Sequence, residues 1–118
     1  MLLDQALLDK VSAEAKESPR LRMNFNLHES LDSKVQRLFN AMEPGTIVPI
    51  QRHQNTAETM LLVRGKMNVY FHNQEGDITE TFALSPKDGV YGVHIPKGQW
   101  HSVEVLESGT VMFEVKEG

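Results

Sequence analysis

The chain has 118 residues, enough for one domain with a modest core. It contains no cysteine, which excludes disulfide frameworks and thiolate metal sites. A formal net charge of -4 argues against a nucleic-acid partner, and no apolar run approaches the roughly 18 residues needed to span a bilayer.

Met1-Leu2-Leu3-Asp4 has no basic region and is not expected to act as a signal peptide, so the expected location is the cytoplasm. Leu3, Leu7, Leu8, Val11 and Ala15 then recur at helical spacing. Asp4 or one of its neighbours is placed to start this helix, and Pro19 follows Ser18 as its stop. The apolar stripe is a packing face, either for the rest of the chain or for a second copy, and a homodimer is the expected state.

Arg22, Asn24, Asn26 and His28 alternate, so they share one face if the segment is a strand. That face is either a pocket wall or a charged, solvated edge. Arginine suits planar recognition of carboxylate or phosphate, which makes Arg22, Asn24 and His28 candidate substrate contacts.

From Leu21 onward, turn signals separate strand-length segments rich in Val, Ile, Phe, Tyr and Thr. The predicted strands are 35–42, 59–63, 67–71, 78–84, 90–95, 103–106 and 110–115. This pattern predicts an all-β sandwich or barrel over residues 21–118, preceded by a helical segment over 1–20, in one structural domain. Met42, Met60, Met67 and Met112 are expected in the core. His72, before the polar turn at Asn73, is expected to be exposed. His94 faces either barrel or solvent.

Gln51 and His53 are two apart, so a strand aims both at one side. Glu58 follows after a short connection and opens the next strand. His101 comes after the Pro96-Lys97-Gly98 turn, where another strand begins. Two imidazoles and a carboxylate serve zinc in hydrolytic sites and non-haem iron(II) in facial triads. An amide oxygen from Gln51 adds a neutral fourth donor. The spacing alone fits four unrelated polar residues at turns equally well.

The pattern Gly45-x5-Gln51-x-His53-x4-Glu58-x6-Gly65 resembles the first cupin motif, with Gln51 in place of the usual first histidine. Pro96-x-Gly98-x-x-His101 resembles the second motif. Gly89 stands one residue from the place of that motif's leading glycine, and Val105 replaces its final asparagine. Residues 18–29, 35–41, 95–101 and 113–118 further resemble the WbuC-type cupin-fold metalloproteins. The resemblance implies a small single-domain cupin: a double-stranded antiparallel β-barrel of jelly-roll type with an N-terminal α-helix. It implies one divalent metal ion (zinc, iron, manganese or nickel) held by Gln51, His53, Glu58 and His101. Type I phosphomannose isomerases, also cupins, are similar in holding zinc with Gln, His, Glu and His. The setting it implies is bacterial O-antigen polysaccharide synthesis, with a sugar or sugar nucleotide as the small-molecule ligand. A metal-dependent isomerase, epimerase or oxygenase is one expectation. A non-catalytic binding cupin and a degenerate cupin without metal are the others.

Overall fold

Among the residues expected to start the first element, it is Asp4 that does so. Its carboxylate accepts the Leu7 backbone N–H at 3.1 Å and caps helix α1 (Gln5–Glu17). The computed structural model describes residues 1–117; Gly118, the last residue of the expected barrel segment, lies outside the described residues. The helix ends at Ser18, just before Pro19.

Nine strands follow among the described residues: β1 (Arg22–Asn26), β2 (Val35–Met42), β3 (Val48–Gln51), β4 (Glu58–Arg64), β5 (Met67–His72), β6 (Ile78–Leu84), β7 (Gly92–Ile95), β8 (Trp100–Val105) and β9 (Thr110–Glu117). All pairings are antiparallel. One sheet has the order β1-β2-β9-β4-β7 and the other β3-β8-β5-β6. This is the expected all-β architecture with an N-terminal helix. Two predicted strands shift. The segment from Val90 pairs regularly only from Gly92, because Val90 bridges back to Ser85 across a short 3-10 turn. The predicted strand at Val103 already begins at Trp100, because His101 and Ser102 pair with β5.

Strand alternation sorts the side chains into two layers. Between the sheets lie Met42, Met60, Leu62, Met67, Val69, Phe71, Val103 and Met112, so the four methionines fill the core as expected. On the outer face of the larger sheet, Leu8, Val11 and Ala15 of α1 pack against Phe39, Ala41 and Val111. The helical stripe therefore covers this chain's own sheet. Arg64 fixes the helix in place, donating to Gly109 O at 2.8 Å, Ser12 Oγ at 3.0 Å and Asp9 Oδ1 at 2.6 Å. Gly65, which ends the first motif, has φ +96, and a Cβ there would collide with the Thr110 backbone.

His72 is buried rather than exposed. It closes the β5–β6 hairpin: Nδ1–H donates to Gly76 O at 3.1 Å, and Nε2 accepts from Ser102 Oγ at 2.7 Å. His94 is exposed, facing away from the barrel interior.

Candidate metal centre

The inner face of the larger sheet carries a polar end. In register across its strands, Leu38 stands opposite Glu114, Glu114 opposite Met60, and Lys116 opposite Glu58. The smaller sheet supplies the facing wall, where Gln51 of β3 stands opposite His101 of β8. His53 lies two residues past the end of β3. The Gly98 N–H donates to the His53 carbonyl at 2.7 Å. The Pro96–Gly98 turn thus holds His53 on one side and leads into His101 on the other. Arg52 points away, its guanidinium 4.5 Å from the Trp100 ring centroid.

The three strongest donors converge. Glu58 Oε2 is 3.0 Å from His53 Nε2 and 3.9 Å from His101 Nε2. One ligand atom from each of the three residues lies within 4.8 Å of the others. Ligands about 2.0–2.1 Å from a tetrahedral ion stand roughly 3.4 Å apart, and the two shorter separations bracket that value. Glu58 and His101 are 2% and 1% exposed, yet Glu58 Oε2 and His101 Nε2 have no hydrogen-bond partner. His53 approaches Oε2 closely without donating to it. His101 Nδ1–H donates to Gln99 O at 2.9 Å, which fixes the proton on Nδ1 and leaves the Nε2 lone pair free. Donors left in this arrangement fit one cation. Gln51 lines the same cavity from an exposed position at its mouth.

Electrostatics favour the same reading. Burial, then the positive charge of Lys116, pushes the His53 pKa down. Burial also lowers that of His101. Both imidazoles are therefore neutral near pH 7, as metal ligation requires. Burial raises the Glu58 carboxyl. Burial followed by the charge of Glu58 pushes Glu114 up to about 7. Two buried carboxylates side by side retain a proton between them unless a cation replaces it.

The cavity has a volume of about 180 Å³. Arg22 and Asn24 line it, with Asn40, Met42, Met60 and Met112 deeper along the sheet. The structure does not bring His28 there: its Nδ1 is engaged with the backbone of Arg37, at 3.2 Å from N and 3.1 Å from O. Sequence reasoning missed Glu114 and Lys116 as site residues. The signal for them was their alternation with the inward Met112, which puts a carboxylate and an amine on the barrel side of β9.

The profile of DUF6016, described as a domain of unknown function, matches residues 3–84. The chain belongs to this family. The match contains Gln51, His53 and Glu58 but ends before His101. No curated protein matches. Among solved structures, KdgF from Halomonas sp. is similar at TM-score 0.67 and 14% identity, covering 85% of this chain and 80% of that one. The cupin domain of Cnp3 from Schizosaccharomyces pombe is similar at TM-score 0.64 and 13% identity, covering 81% and 64%. CapF from Staphylococcus aureus, a capsular polysaccharide assembling protein, is similar at TM-score 0.64 and 24% identity. That likeness covers 85% of this DUF6016 chain but only 29% of CapF. At these identities the likeness establishes the fold, which is that of a cupin.

Proposed function

We propose that this DUF6016 protein is a cupin metalloprotein of WbuC type. In this reading His53, Glu58 and His101, with Gln51 at the mouth, hold one divalent ion and present it to a small oxygen-rich molecule. The observation that carries the reading is the pair of buried, unpaired donors, Glu58 Oε2 and His101 Nε2. When bound, the ion supplies Lewis-acid polarisation of a ligand oxygen or of water. The chain's own residues orient and shield it: Gln99 fixes the His101 tautomer, and the methionine floor keeps that side dry.

The ligand class is a sugar or sugar nucleotide of surface polysaccharide synthesis. The polar wall of Arg22 and Asn24 supports it, as does the likeness to CapF, itself a capsular polysaccharide assembling protein. A cytoplasmic homodimer completes the proposal. Supporting the dimer, Leu3, Leu61 and Val63 form an exposed apolar patch beside Phe113.

Elemental analysis of the purified protein tests the centre. Near one equivalent of a single divalent metal is expected in the wild type, lost in His53→Ala and His101→Ala. A wild type that takes up no metal, even after reconstitution with several divalent ions, overturns the reading.

A further inference from the structure

We propose that the part of the ligand entering the cavity is an anion, held by Lys116 beside the metal-binding cluster. The class is a carboxylate with a hydroxyl or oxo oxygen on the adjacent carbon, so that carboxylate and oxygen can reach the amine and the ion together. This deepens the metal reading above and rests on it.

Lys116 stands opposite Glu58 on β4 and opposite Gln36 on β2. It is half-buried and lines both the cavity and an adjoining open groove of about 490 Å³. Among the described residues its amine is in no ion pair. Its place directly opposite Glu58, on the cavity side of β9 with Glu114, sets its charge beside the cluster. A lysine here works against a bound cation. Both nearby buried carboxylates, Glu58 and Glu114, are needed to balance the ion itself. The divalent ion and Lys116 together outweigh them by one positive charge, and Arg22 at the other end of the cavity adds a second. A partly desolvated excess of this kind, in a chain that is acidic overall, is neutralised by a ligand that brings its own negative charge.

Size and polarity narrow the class. A cavity of roughly 150 Å³ accommodates benzene, so about 180 Å³ admits a fragment of about six to eight non-hydrogen atoms. A whole nucleotide exceeds that, whereas a small oxygenated acid fits. Asn40 Oδ1 is buried without a partner on the same wall, across from Asn24 of β1, and accepts a ligand hydroxyl. The groove opens past Arg52, Gln54, Asn55 and Thr56, so a longer polar chain can continue outward. Glu117 also lines the groove, but it is exposed and screened by water.

The test loads the full-length protein with one equivalent of cobalt(II), whose visible absorption reports a change of ligands. Glycolate is then titrated against its neutral counterpart glycolamide. Wild type is expected to bind glycolate at least tenfold more tightly. Lys116→Gln should cut that preference at least fivefold, the ion and Arg22 keeping the remainder, and Lys116→Arg should retain it. Equal affinities in wild type overturn the inference while leaving the metal reading intact, as does a full preference in Lys116→Gln. The wild-type comparison stands without any variant that fails to fold. A protein that takes up no cobalt overturns both.

Discussion

Of the buried glutamates and histidines, Glu43 and His72 belong to turn closures and Glu58 and His101 to the cavity, two kinds of region that treat polar groups differently. At one end of the sandwich, Glu43 accepts from Ser108 Oγ at 2.6 Å and from the Gly109 N–H at 2.7 Å. His72, in the β5–β6 hairpin, has both ring nitrogens paired. At the cavity, Glu58 and His101 are still more buried, and each keeps one unpaired atom. Burial is common to all four residues, so burial does not mark a site. What differs is satisfaction. An unmet buried polar group costs about 1–3 kcal/mol, and two such atoms only 3.9 Å apart are hard to account for as structure. The turn closures pair every polar atom that Glu43 and His72 bury there, whereas at the cavity Glu58 Oε2 and His101 Nε2 are left without a hydrogen-bond partner.

The largest effect should come from breaking this contrast directly. Glu58→Ala is expected to lower metal affinity by more than the roughly 100-fold that changes in a metal's outer shell typically cost. Glu43→Ala should leave one equivalent of metal bound. Its cost appears instead in urea unfolding, about 3 kcal/mol, because Ser108 Oγ and the Gly109 N–H lose a charged acceptor. If Glu43→Ala lost the metal and Glu58→Ala kept it, the division into two regions would collapse.

A somewhat smaller effect sharpens the comparison through pH. Glu114 has its folded pKa raised to about 7 from 4.5. The folded protein therefore binds more protons than the unfolded chain between those values. The stability that Glu114 contributes is fully present below pH 4.5 and is lost as pH rises to about 7. The histidines act in the opposite sense. Their lowered pKa values mean stability is lost as pH falls below their ordinary 6.5. Comparing Glu114→Gln with wild type, both metal-free, separates the two. The variant should be more stable by at most about 3 kcal/mol at pH 7.5, with the gap closing by pH 4. A gap that stayed constant with pH would mean that Glu114 ionises freely. Bound metal should remove most of the difference, because the cation stabilises the ionised pair.

Much of the fold was legible because it follows from local rules. The Asp4 cap, the stop at Pro19 and the strands 35–42 and 78–84 stand where capping, turn chemistry and period two place them. The convergence of His53, Glu58 and His101 was legible because each sits at or beside a turn that the sequence announces. His72 was misplaced because its partner, Ser102, is 30 residues away, and no local pattern discloses a cross-strand hydrogen bond. Glu114 and Lys116 were missed for a related reason. Their alternation showed which way they face, but only the pairing of β9 with β4 sets them beside Glu58. His28 failed the other way: its alternation with Arg22 and Asn24 was real, but β1 ends at Asn26 before reaching it.

Gln51 offers the finest test, because it belongs to neither region cleanly. It faces the cavity and is in register with His101, yet it is exposed where Glu58 and His101 are sealed. A neutral amide oxygen in contact with water gives up little when it leaves a cation, because water replaces it. Gln51→Ala should therefore weaken metal binding by only about tenfold, or about 1.4 kcal/mol, in a competition titration against a chelator. Gln51→His should tighten it, since an imidazole is the stronger donor for zinc, iron or nickel. If Gln51→Ala instead lost the metal as completely as Glu58→Ala, the mouth of the cavity would grip the ion no less firmly than its floor. The exposed and sealed ligands would then form one unit, with the boundary of the site drawn outside Gln51 rather than through it.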